Sequence, residues 1–257
     1  EGLGSPADGG FGDAGGSVQA FDGTSGRKIW GNSEAHVGGI MGMSVSSNGK
    51  QLASVGQDGQ LALWDFADGQ MQHRTEIASG WVEHVAWSKS SNHLAVSSGR
   101  VLTILSSSGE KIWSSGNHPS TVSALGWVTD QEISTACYGR VTFFNSSSGQ
   151  ENERLEWQGS LVSLALSPDG NVVACGSQDK SVHFWRRSTG MDAEMTGYPG
   201  KPSHLSFDDS GKLLATSGSE RITVWSFIGN GPEGTMPGEL CHHTEPISSL
   251  AFSNKGM

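Results

Sequence analysis

Short runs of alternating apolar and polar residues recur along the chain, and no segment sustains a helical period. Val162, Leu164 and Leu166 alternate with small or polar neighbours, as do Leu205 and Phe207. That is the period of two of a β-strand with one face buried. A bulky residue closes the first such run at Val45, Trp87, Trp127, Leu166, Phe207 and Phe252, at intervals of 42, 40, 39, 41 and 45 residues. A second run begins six or seven residues past each mark, at Leu52, Leu94, Ile133, Val173 and Leu214.

Self-similarity at about 40 residues is the mark of a four-stranded propeller blade. The spacing divides a single domain, 1–257, into a partial blade over 1–30, blades over 31–76, 77–117, 118–157, 158–197 and 198–241, and a partial blade over 242–257. In the first piece a Gly-rich stretch to Gly16 precedes a third strand over Ser17–Asp22 and a fourth at Arg27–Trp30. The last piece starts at His243-Thr244-Glu245-Pro246 and supplies a first strand, with its second expected beyond Met257. The two ends either pool into one composite blade of a six-membered ring or belong to a larger ring. An unclosed ring leaves strand edges open.

One unit shows the pattern in full. From His36, an apolar run (Ile40, Met43, Val45) leads to a Ser47-Asn48-Gly49 turn, then to Leu52-Ala53-Ser54, Asp58-Gly59, and Leu61, Leu63, Trp64 and Asp65. This stretch resembles a WD40 repeat, and the resemblance runs from Ser17 onward. It implies an all-β WD40 β-propeller of four-stranded antiparallel blades. Seven is the commonest blade number in that family, so a seven-bladed full-length protein is the expectation. The resemblance also implies that His36, Ser54, Asp58 and Trp64 form a buried structural tetrad.

The other units depart from this set. His118 and His243 stand nine residues before their marks, where other units carry Ala78, Trp157 and Tyr198. Asp58 is matched by Asp179 and more loosely by Glu220. Trp64 is matched by Trp185 and Trp225 and replaced by Ile104 and Phe144. Four stretches, Gly80–Ser88, Gln178–Trp185, Met195–Asp208 and Gly231–Leu240, resemble a bacterial, algal and plant WD40 subfamily sometimes encoded beside CobW-type metallochaperone GTPases. That resemblance implies a link to metal homeostasis through a partner, with no catalysis.

Composition narrows the function. The formal net charge is −10, with 26 acidic against 16 basic residues, which disfavours general binding to nucleic acid backbones. Three separated cysteines without a CxxC pair fit a reducing compartment. No apolar run approaches the roughly 18 residues of a membrane span, so no membrane insertion is expected. The opening residues read as neither signal nor transit sequence. A cytoplasmic location is the expectation, or a plastid if a targeting peptide has been removed.

Candidate chemistry is sparse. His36, Ser54 and Asp58 imitate a hydrolase triad, but related residues recur at the same offsets, and no G-x-S-x-G elbow is present. A propeller hydrolase is therefore a minor alternative. Gly10–Gly15 matches G-x-G-x-x-G without the preceding strand and following helix a dinucleotide site needs, and reads as a loop. Cys241, His242 and His243 are adjacent, so alternate side chains diverge, and no metal or cofactor is expected.

The turns between second and third strands carry Arg100, Arg140, Lys180 and Arg221 in four successive blades. The resemblance places these turns on the same face as the leading His. With Trp81 and Tyr198 as aromatic anchors, they form a candidate partner-binding face for an acidic protein surface. The reading is a non-catalytic interaction or scaffold module, with oligomeric state left open.

Overall fold

The structure, a computed structural model, describes residues 9–252, and these are built from β-strands with no helix among them. They fall into two compact units, one formed by residues up to 133 together with 143–152, the other by 134–142 and 153 onward.

The first unit opens with β1 (Gly9–Gly12), β2 (Val18–Phe21) and β3 (Lys28–Asn32), an antiparallel sheet in that order. The next sheet runs β4 (Ile40–Val45), β5 (Gln51–Gly56), β6 (Gln60–Asp65) and β7 (Met71–Glu76). A third runs β8 (His84–Trp87), β9 (His93–Ser98), β10 (Val101–Ser106) and β11 (Lys111–Ser114). One further sheet is β12 (Ala124–Thr129), β13 (Glu132–Asn145) and β14 (Glu151–Ser160), in that order, of which residues 134–142 and 153–160 fall in the second unit. Within β13, Gly139 at φ 85° marks the turn expected from the Gly-Arg pair.

The second unit holds β15 (Ala165–Leu166), β16 (Val172–Gly176), β17 (Val182–Arg186) and β18 (Met191–Met195) as one sheet. Its other sheet is β19 (Leu205–Phe207), β20 (Leu213–Thr216), β21 (Ile222–Ser226) and β22 (Gly238–Leu240).

The middle strands are buried on both sides, and the period of two sorts their side chains between neighbours. Leu52 and Trp64 face Val18, Ala20 and Trp30 of the preceding sheet. Ala53, Val55, Leu61 and Leu63 pack against Val85, Trp87, Leu94 and Val96 of the next. Each such fully buried aliphatic is worth about 1.5–3 kcal/mol relative to exposure. A second device ties sheet to sheet: Trp30 Nε1 donates to Phe66 O at 2.8 Å while its ring lies over Gly69, leaving no room for a side chain at that turn (φ 73°).

Three expectations are corrected. Gly10–Gly15 is not all loop: Gly9–Gly12 is strand, paired with β2. The absence of a side chain at Gly12 admits Ile40 and Met43, which a Cβ would strike. The place of Trp64 in the third unit belongs to Leu105, not Ile104. Leu52 pairs with Trp64, and its counterpart Leu94 pairs with Leu105. Residues 242–252, expected to open a blade with a strand, contain none. They are held by Ile247 N–H to Ser219 O (2.9 Å) and Phe252 N–H to Ser206 Oγ (3.3 Å). Residues 1–8 and 253–257 lie outside the described residues.

Candidate interaction surface

The loop into β4 and the turn between β5 and β6 are joined by His36, Ser54, Asp58 and Trp64. Trp64 Nε1 donates to Ser54 Oγ at 2.9 Å, and Ser54 Oγ lies 2.8 Å from His36 Nε2. His36 Nδ1 is 2.9 Å from Asp58 Oδ1, and Asp58 also accepts from Val37 N–H at 3.1 Å and Gln60 N–H at 3.2 Å. An ionised Asp58 only accepts, so Nδ1 carries the proton and Ser54 donates to Nε2. Burial acts to raise the Asp58 carboxyl; bonds from His36 and the two amides outweigh it and hold the group below the usual carboxylate range. Ser54 is wholly buried with its oxygen committed to two partners, so a substrate has no access to it. What the network presents is the loop outside it, where Val37 is 81% exposed.

The same offsets are filled differently in the second unit. Tyr198, in the His place, has its hydroxyl 2.8 Å from Thr216 Oγ1 and accepts from Trp225 Nε1 at 2.7 Å. Trp157 instead lies flat on His183, ring centroids 3.7 Å apart, and Trp185 meets the same imidazole edge-on at 4.4 Å. His183 is buried, with Nε2 at 3.1 Å from Asp192 Oδ2. Burial pushes its pKa down, and Asp192, Glu194 and Asp179 only partly oppose this. Cys175 takes the Ser place. Burial pushes its thiol far up, which makes it an inert apolar group.

The candidate binding residues separate by unit. In the first, Trp81 is 54% exposed, and its carbonyl accepts from Ser98 Oγ at 2.7 Å. Ser98 opens the turn that carries exposed Arg100, whose Nε donates to His118 O. An exposed aromatic and a guanidinium are thereby anchored to one turn.

In the second unit Arg140 is half-buried, and Lys180 is exposed at φ 71°. Arg221 is exposed and pairs with Glu239 at 3.3 Å. Tyr198 is not the exposed anchor that its loop position suggests. It is 8% exposed because its hydroxyl completes the Thr216–Trp225 network. Its place nine residues before Phe207 was the signal for that role. Among the described residues, no group of three His, Cys, Asp or Glu is placed to hold a metal ion. Among the described residues, no helix is long and apolar enough to cross a membrane.

Four-stranded antiparallel sheets repeated about every 40 residues define a β-propeller of the WD-repeat class. The model of the family described as outer membrane protein assembly factor BamB matches residues 14–221, and the chain belongs to that family. It is 24% identical over 228 residues to actin-interacting protein 1 of Caenorhabditis elegans, covering 85% of this chain and 36% of that protein. It is 26% identical over 162 residues to meiotic fizzy-related protein 1 of Schizosaccharomyces pombe, covering 60% of this chain and 38% of that one. The chain thus spans little more than a third of these relatives. Two solved structures share its fold: "Structure of U3-55K" at TM-score 0.81, covering 96% of this chain and 82% of that chain, and "Crystal structure of RRP9 WD40 repeats" at 0.80, covering 96% and 81%, both at 21% identity.

Proposed function

We propose that the chain is a non-catalytic protein-interaction module that docks an acidic surface of a partner protein, with Trp81 as anchor and Arg100 as charge partner. The observation that carries the reading is the Ser98 Oγ to Trp81 O bond, which ties the backbone of an exposed Trp to the turn that carries Arg100. Exposed aromatics and arginines are the groups that dominate binding energies at interfaces. The names of the matched family and of the first relative, assembly factor and actin-interacting protein, suit a chain that works by holding other proteins.

The test is affinity capture and titration of the captured partner with wild type, Trp81→Ala and Arg100→Ala. Loss of binding by Trp81→Ala at an unchanged melting temperature, with a shallower salt dependence for Arg100→Ala, is the expected result. Unchanged affinity in both variants ends the proposal. Trp81 lies within Gly80–Ser88, one of the stretches resembling the CobW-associated subfamily, which gives the partner a second reading as a metallochaperone GTPase. Capture with and without added zinc separates the two.

A further inference from the structure

Within the second unit, a pocket of 460 Å³ opens beside the turn between β20 and β21. Tyr198, Trp225, Pro199 and Pro237 give it apolar and aromatic walls. Its aromatic donors are already committed, while Thr196 and Thr223 contribute hydroxyls that can donate or accept. The Trp225 N–H goes to Tyr198, the Tyr198 hydroxyl is engaged with Thr216, and one nitrogen of the exposed Arg221 guanidinium pairs with Glu239 at 3.3 Å. Carboxylates outnumber cations, since Glu220, which accepts from Ser219 Oγ, and Glu239 line the pocket against the one cation in its lining, Arg221. Ring faces attract cations, and a carboxylate surplus beside them adds to the attraction.

The connection that leads to Pro237 is fastened from the neighbouring sheet at Gly231 and Glu233. Arg186, standing where Asp65 stands in the complete repeat, donates to Gly231 O and lies 3.3 Å from Glu233. Its guanidinium sits over the rings of Phe184 and Phe227 at 5.5 and 5.7 Å. The long connection from β21 to β22 is therefore fastened at its middle.

We propose that this pocket binds a lysine or arginine side chain presented by a partner polypeptide, with the alkyl stem against Tyr198, Trp225 and the prolines and the cationic head at Glu220 and Glu239. The site is chemically opposite to the Trp81–Arg100 patch and independent of it.

The Trp225 indole N–H resonance is the readout, with N-acetyl-arginine amide and N-acetyl-lysine amide as probes and N-acetyl-norleucine amide and N-acetyl-glutamate amide as controls. Saturable shifts are expected with both cations, about five-fold weaker for norleucine, as for loss of one exposed charge contact. Glu220→Gln weakens the cations. Arg221→Ala strengthens them, because it frees Glu239, whereas an anion site would be abolished by the same change. Trp81→Ala leaves all of these titrations unchanged. Equal binding of norleucine, tighter binding of glutamate, or no shift with any probe overturns the proposal.

Discussion

Replacing Ser54 by Ala removes one oxygen and strands two buried groups. Trp64 Nε1–H loses its acceptor at 2.9 Å, and His36 Nε2 loses its donor at 2.8 Å. Trp64 is fully buried and His36 is 4% exposed, so solvent does not take over these roles. Each buried polar group left without a partner costs about 1–3 kcal/mol. Partial relaxation of the loop brings the expected loss to about 2–4 kcal/mol, since the imidazole has some freedom to move. For a chain of this size about 1 kcal/mol moves the melting temperature by roughly 2–4 °C, so a fall of roughly 5–15 °C is expected.

Ser97 is the internal control. It is equally buried, and its Oγ has no hydrogen-bond partner among the described residues. Ser97→Ala should be neutral or stabilising, because it removes a desolvated hydroxyl that is not compensated. Both variants are read by urea unfolding and thermal melts, and the first is then repeated in a His36→Phe background. There Ser54→Ala strands only Trp64 Nε1–H, so its penalty should shrink by more than the about 0.5 kcal/mol scatter of independent sites. A Ser54→Ala loss no larger than that of Ser97→Ala, or full additivity with His36→Phe, refutes the account of the network.

Acid should weaken the chain in two stages. His183, His84 and His204 are all held below the ordinary value of 6.5 chiefly by burial, so the unfolded chain takes up protons first and stability falls as pH drops below about 6.5. Asp58, depressed below 3.8, adds a second loss only as pH falls under about 4. Urea midpoints at pH 7.5 and 5.5 should differ less in His183→Phe than in wild type, and an equal drop would remove His183 from the explanation. Lys180 holds φ 71° at the place Gly59 fills at 76°, so Lys180→Gly should stabilise by about 0.5–1 kcal/mol after the entropic cost of glycine. Arg186→Met should keep the contacts with Phe184 and Phe227 yet release the connection to β22. Limited proteolysis should then cut between 229 and 236 many times faster than in wild type, and an unchanged cutting rate would show that Arg186 does not fasten it.

The blades were legible because their middle strands are buried on both faces, which leaves a dense apolar record such as Leu52, Ala53 and Val55 followed by Leu61, Leu63 and Trp64. Register was less so. Without a Trp to mark it, the third unit reads one residue out, and a one-residue slip exchanges the two faces of a strand. β1 was missed because glycine carries no strand signal, and its reason for being there is the bulk of Met43 and Ile40 on another strand. The stack of Trp157 on His183 was also beyond reach. It depends on the Cys175–His183 cross-strand pairing and on a ring orientation that spacing does not encode.

The unequal blades bear on where binding energy can be generated. In the complete repeat His36, Ser54, Asp58 and Trp64 bond to one another, which leaves Val37 exposed in the loop outside them. Where the His is replaced, the polar atoms are redistributed: Tyr198 closes on Thr216 and Trp225, and the two aromatic residues line a pocket bordered by Glu220, Arg221 and Glu239. The substitution that costs this blade its His network is thus the one that gives it a concave surface with aromatic walls and charge. A Tyr198→His variant tests the link. Restoring His beside Thr216 should re-form a bond toward the turn while removing one wall, so stability holds and cation binding is lost. Loss of both together would mean that the pocket and the network are a single structural feature.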